Sequence, residues 1–230
     1  MITRCTLSCS TEMALMQTTL EHRVLMPEQS GSGKNPLLVM LHGRGADEED
    51  LIDIARFYDP RLLVVSPRAP FAFPHGGFTW YDVDETGNQN QAMFRESCER
   101  LSAFLDDVIN GYPVDAGQVY LLGFSMGTVM SYAMSLSRPS LFRGVIANSG
   151  YVPEGTFLTL QWDKIGHIEY FIAHGTEDPI IPLRAARRAR ELFAASPAKI
   201  TYKEYPMGHQ LSDESIADSA AFLQHLLPHS

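Results

Sequence analysis

Three cysteines in 230 residues are too few for a disulfide-stapled scaffold, and Cys5, Cys9 and Cys98 are not spaced as metal ligands. Such sparse cysteine fits a reducing compartment. Long apolar runs are missing too. None approaches the ~20 residues that span a bilayer, so no membrane span is expected. The amino end, MITRCTLSCSTEMALMQ, has one arginine and no apolar core, which argues against a secretory signal. Basic residues are the third shortage. Eighteen Lys and Arg stand against 27 Asp and Glu, a formal charge of −9 with no local basic run. An acidic surface repels phosphate backbones, which excludes nucleic acid as a partner. A soluble, cytoplasmic protein is expected.

What is present is ordinary globular composition, 45% hydrophobic and 20% charged. The length suits one α/β domain and is short for two. No repeat or low-complexity block interrupts it. Residues 1–17 lack periodicity and are expected to be loosely held, leaving 18–230 as the domain. From there short apolar strands alternate with amphipathic helices. HRVLMP, LLVML (37–41) and LLVVSP (62–67) read as strands, with EQSGSGKNP (28–36) as a hairpin loop between the first two. DEEDLIDIARFY (47–58) and QAMFRESCERLSAFLDDVINGY (91–112) read as helices, the second closed by Gly111. VYLL, VIANSG, EYFIAHG and KITYKEYP continue the strands, and LRAARRARELFAAS and SDESIADSAAFLQHLL, capped by Ser212, are the last helices. The alternation predicts an α/β fold, a mainly parallel sheet with helices on both faces and its chemistry at the carboxyl ends of the strands.

One such end carries Gly123-Phe124-Ser125-Met126-Gly127. A strand precedes it and a helix follows, the context that G-x-S-x-G requires to act as a nucleophile elbow. A serine alcohol is a weak nucleophile and needs a histidine base held by an acid; in the chain order that goes with such an elbow the acid follows the serine and the histidine comes last. AHGTEDPIIPL puts Asp178 in the loop after a buried strand, and EYPMGHQLSDE puts His209 after the last strand. Glu177 and Glu154 are rival acids. Of the eight histidines only His174 competes with His209, and it stands before the acid, against the order. The Met126 amide and a second donor from LHGRGAD, the Arg44 amide, would form an oxyanion hole. The His42 side chain reads as structural, and for Arg44 the backbone role is preferred to a side-chain one, contact of its guanidinium with an anionic substrate being the lesser alternative.

LLVMLHGRGADEEDL, SPRAPF…GGFTWYD, LLGFSMGTVMSYAM, AHGTEDPIIP and GHQLS together resemble the phospholipase/carboxylesterase family of α/β-hydrolases, over residues 20–227. That resemblance implies an α/β-hydrolase fold and a Ser-His-Asp esterase acting on small carboxylic esters or thioesters. It implies no metal and no organic cofactor, and a homodimer at the family level only. It also implies that Trp80 lines the substrate pocket, core packing being the alternative reading. The acyl-protein thioesterase branch usually carries leucine where Arg44 stands and glutamine where Met126 stands. Both positions border the nucleophile, so the departures argue against deacylation of palmitoylated proteins. A lactone or C–C hydrolase with the same triad, and a non-catalytic ligand-binding protein on the same fold, are the rival readings.

Overall fold

The computed structural model describes residues 17–29 and 33–228; the expectation of a loosely held 1–17 lies, but for its last residue, outside them. Seven strands build the main sheet: β1 (His22–Leu25), β2 (Asn35–Leu41), β3 (Leu63–Pro67), β6 (Val114–Phe124), β7 (Gly144–Asn148), β8 (Glu169–Gly175) and β9 (Lys199–Tyr205). Two more, β4 (Phe71–Ala72) and β5 (Phe78–Thr79), make a small antiparallel ribbon. The helices are α1 (Gln91–Gly111), α2 (Met126–Ser137), α3 (Arg184–Ala194) and α4 (Asp213–Leu226). Among the described residues no helix is long and apolar enough to cross a membrane.

The sheet order is β1-β3-β2-β6-β7-β8-β9, parallel throughout except for β1. Strand periodicity places alternate side chains on opposite faces, and β2 shows why this sheet needs cover on both. Leu37, Val39 and Leu41 point into one core with Phe94, Phe104, Val129 and Phe193, carried by α1, α2 and α3. Leu38 and Met40 point into the other with Ile52, Tyr58 and Leu223, the last from α4. Each such fully buried side chain contributes about 1.5–3 kcal/mol. α1 meets its core through Phe94, Cys98, Leu101, Leu105 and Val108, one stripe at helical spacing, and Asn90 caps it by accepting from the Ala92 and Met93 amides. α4 begins with a reciprocal Ser212–Ser215 capping box.

Three local expectations change. Segment 28–36 does not close a hairpin, because β3 lies between β1 and β2 and pairs with β1 in antiparallel register, Val24 opposite Val65. Segment 47–58 is not an α-helix but a turn followed by a 3₁₀ helix, Ile52–Phe57. Its acids are drawn off: Asp47 Oδ1 accepts from the Glu49 amide at 3.0 Å, and Glu48 is held by Arg68 at 2.6 Å. Side-chain bonds of this kind compete with the helical ladder. Gly111 is the last helical residue of α1, and Tyr112 rather than a left-handed glycine forms its cap.

β2 connects onward to β3 on one side of the sheet, and β6 to β7 on the other. At such a switch point the loops leave in opposite directions, and a crevice opens above the two carboxyl ends. Here those ends are Leu41-His42-Gly43-Arg44 and Phe124-Ser125.

Candidate active site

Ser125 sits between β6 and α2 with φ 54° and ψ −116°, a backbone conformation that side-chain-bearing residues rarely adopt. Such strain costs about 1–3 kcal/mol and persists only where the surroundings over-determine it. They do so here. The Ser125 amide donates to the Asn148 carbonyl at the end of β7 (2.9 Å), and the Thr128 hydroxyl donates to the same oxygen (2.6 Å). The two glycines allow the close approach. A Cβ on Gly123 would stand 2.5 Å from the Gly127 carbonyl oxygen, and one on Gly127 would stand 1.9 Å from that of Leu41.

His209 follows β9 and Asp178 follows β8. The His209 Nε2 lies 2.9 Å from Ser125 Oγ, and its Nδ1 lies 2.7 Å from Asp178 Oδ2. The imidazole also rests on the Phe124 ring, centroids 4.9 Å apart. The acid loop and the histidine loop are tied together by the Glu177 amide, which donates to the Met207 carbonyl at 3.1 Å.

The Asp178 side chain is wholly buried, and burial alone would push its carboxyl up. The His209 hydrogen bond and the Ile181 and Ile180 amides, 2.9 and 2.8 Å from Oδ1, outweigh burial and hold it below the ordinary carboxylate value. An ionised carboxylate only accepts. The proton of His209 therefore lies on Nδ1, and Nε2 is left to accept from the serine hydroxyl. Because the folded carboxyl is shifted down, its stabilising contribution is complete above the unfolded value, ordinarily 3.8, and fades as pH falls through the lower folded one. Asp178→Asn is expected to lose about 1–3 kcal/mol of stability at pH 7. That deficit is expected to shrink steadily below pH 3.8, as measured by urea midpoints from pH 7 to pH 3. A deficit of the same size across the whole range would dissociate it from the charge.

The rival acids stand elsewhere. Glu177 is exposed, and Glu154 pairs with Arg188 at 2.8 Å. His174 is fully buried behind Asp178, its Nε2 2.8 Å from the Ile181 carbonyl and 3.4 Å from Asp178 Oδ2.

Above the serine, the loop after β2 is held by His42. The Ala69 amide donates to its Nε2 at 3.0 Å, which leaves the ring proton on Nδ1 to donate to the Gly43 carbonyl at 2.7 Å. Burial depresses its pKa, in keeping with a neutral ring. Met126 opens α2, so its amide has no intrahelical acceptor. Among the described residues no acceptor takes either the Met126 or the Arg44 amide.

Trp80 departs from the expectation of a pocket residue. It has no exposed surface, its indole N–H donates to the His42 carbonyl at 3.0 Å, and the Ser97 hydroxyl donates to its own carbonyl. A buried indole must find such an acceptor, and the one available ties it to the loop after β2 rather than to the cleft. Its neighbour Tyr81 borders the cleft instead, with its hydroxyl 3.0 Å from that of Tyr151. The cleft, of about 570 Å³, is bordered by Ser125 and His209 together with Arg44, Met126, Ile180 and Arg184. Sequence reasoning did not single out Tyr81, Tyr151, Ile180 or Arg184. Tyr151 follows the carboxyl end of β7 and Ile180 the acid itself, positions that the strand-end rule could have marked.

The family profile described as Phospholipase/Carboxylesterase matches residues 20–227. A protein of Candida albicans named acyl-protein thioesterase 1 is 26% identical over 223 residues, 86% of this chain and 95% of its own. The protein of that name from Debaryomyces hansenii is 30% identical over 175 residues, 71% of this chain and 75% of its own. Among solved structures, the Bacillus cereus carboxylesterase superposes with a TM-score of 0.81 at 21% identity, covering 90% of this chain and 95% of that one. This chain belongs to the phospholipase/carboxylesterase family of α/β-hydrolases, hydrolases of the esterase type.

Proposed function

We propose that the protein hydrolyses small carboxylic esters, and thioesters with them, through an acyl-enzyme formed on Ser125. The observation that carries this reading is the unbroken contact from Asp178 through His209 to the strained Ser125 hydroxyl, 2.7 and 2.9 Å. In the first half-reaction Ser125 Oγ attacks the ester carbonyl carbon as its proton passes to His209 Nε2. The carbonyl oxygen becomes an oxyanion and accepts hydrogen bonds from the Arg44 and Met126 amides, each worth ~3 kcal/mol in the transition state. Collapse breaks the bond to the alcohol, which leaves with the proton from His209. A water then attacks the acyl-serine, giving its proton to His209. The carboxylic acid departs and Ser125 regains its hydrogen. Asp178 keeps the imidazole in the tautomer required and stabilises its transient positive charge.

Two measurements test the reading. A fluorophosphonate probe is expected to label the native protein stoichiometrically and to leave Ser125→Ala unlabelled. A non-catalytic ligand-binding protein on this fold would not react at all, so absence of labelling in the native chain overturns the proposal. A panel of short esters, thioesters and lactones ranked by kcat/KM is expected to place esters and thioesters first. Lactones at the head would transfer the triad to another reaction.

A further inference from the structure

The cleft of an acidic protein is bordered by two guanidinium-bearing residues, Arg44 and Arg184, and by no carboxylate side chain. Elsewhere several arginines are paired, Arg61 with Asp59, Arg68 with Glu48, Arg138 with Asp106, Arg187 with Glu204 and Arg188 with Glu154, while Arg56, Arg95, Arg143 and Arg190 lie outside the cleft with no ion pair among the described residues. Among the described residues Arg44 and Arg184 have no acid within ion-pair distance, although acids outnumber bases 27 to 18. The loop facing them across the cleft does carry acids, but Val83 and Gly87 are the residues it turns to the cleft. Its Asp82, Asp84 and Glu85 are exposed and do not line the cleft, and Asp84 accepts from the Thr86 hydroxyl and the Asn88 amide at 2.6 and 2.8 Å.

Arg44 leaves the loop after β2 beside the nucleophile. Its guanidinium carbon lies 5.3 Å from the centre of the Phe73 ring, and its charge is felt by the Tyr81 and Tyr151 hydroxyls. Those hydroxyls lie 3.0 Å apart and share a hydrogen bond. Arg184 opens α3, on the wall that also carries Ile180, Ile181 and Pro182. The cleft therefore joins an apolar wall of short reach to planar cationic forks suited to an anionic oxygen group.

We infer that the preferred substrates are esters whose acyl or alcohol part bears an anionic oxygen group, a carboxylate or a phosphate, held by the Arg44 and Arg184 side chains. This rests on the esterase reading above and narrows it. A neutral ester of equal size would meet the same nucleophile but leave both cations to solvent. The contact is partly exposed, so its strength falls as salt screens it over a Debye length of about 8 Å at physiological ionic strength.

The test is a set of matched ester pairs, with spontaneous hydrolysis subtracted, read as the charged-to-neutral ratio of kcat/KM. On the acyl side, mono-4-nitrophenyl adipate is compared with 4-nitrophenyl hexanoate. On the alcohol side, 4-acetoxybenzoate and 4-acetoxyphenyl phosphate are each compared with 4-acetoxybenzamide, which separates carboxylate from phosphate. At least one ratio is expected to reach about tenfold in the native chain, some 1.4 kcal/mol. It is expected to fall severalfold in Arg44→Gln and in Arg184→Gln, to survive largely in Arg44→Lys and Arg184→Lys, and to decline at 0.5 M salt. A general loss of activity cancels in the ratio. Native ratios at or below one for every pair, or ratios that neither glutamine variant nor their double changes, overturn the inference while neutral-ester turnover leaves the esterase standing. Failure of every ester together with absent fluorophosphonate labelling would instead remove the esterase reading itself.

Discussion

Ser125→Ala is expected to lower kcat for 4-nitrophenyl acetate by about 10⁴–10⁶, and His209→Ala by a similar factor. The loss is large because neither group works alone. The serine has no other base within reach, and the 2.9 Å contact with His209 Nε2 is its only side-chain hydrogen bond among the described residues. The double variant is expected to be no slower than either single one, since members of a triad act as a unit. Folding is expected to survive. Alanine at 125 keeps the Cβ and the positive φ already accommodated there, and the amide bond to Asn148 is untouched. His209 is partly exposed and contributes one ring face to Phe124, so its truncation costs a contact and not a core. Circular dichroism and thermal midpoints beside the kinetics separate the cases. Native-like turnover in either folded variant refutes the assignment of that residue, and native-like turnover in the double variant would point to a different nucleophile.

Much of the geometry around Ser125 is legible in the chain, for reasons that differ from residue to residue. The elbow was legible because its glycines answer a steric demand so tight that no other residue meets it. Asp178 and His209 were legible because each directly follows a buried strand, and parallel strands deliver their carboxyl ends to one rim. LLVML, apolar at every position, is legible as a strand buried on both faces. Other features depend on tertiary contacts that leave no local trace. DEEDLIDIARFY has the apolar spacing of a helix, yet Asp47 closes a turn on Glu49 while Arg68, twenty residues on, takes Glu48. β1 pairs with β3 rather than with its sequence neighbour β2, and strand composition says nothing of such order. Trp80 shows the limit of a motif: FTWYD marks the neighbourhood correctly, but which of two adjacent aromatics faces the cleft is decided by the indole N–H finding the His42 carbonyl. Tyr81, equally buried, is the one that borders the cleft.

Gly127→Ala is expected to damage the protein more than any other single methyl group added to the elbow. The new Cβ would stand 1.9 Å from the Leu41 carbonyl oxygen, 2.5 Å from its carbon and 2.8 Å from the His42 carbonyl oxygen. All three are backbone atoms, at the end of β2 and the first residue after it, so no rotamer change can clear the space. Helix α2 would have to lift away from the sheet, yet it is buried from Met126 to Leu136 and cannot move without opening its core. Overpacking that side chains can absorb costs about 1–3 kcal/mol, and this clash lies at or beyond the upper end. Three kcal/mol corresponds to a fall of about 6–12 °C in Tm for a chain of this size. The same displacement would carry Ser125 and the Met126 amide off their positions, and a shift near 1 Å at a reacting group can cost about 10²-fold in rate. Gly33→Ala is the control, because a Cβ there meets nothing within 4 Å and its φ is not in the left-handed region. It is expected to keep native Tm and kcat/KM. If Gly127→Ala matched it in both, the close approach of α2 to β2 would not be what shapes the elbow, and the strained serine would need another cause.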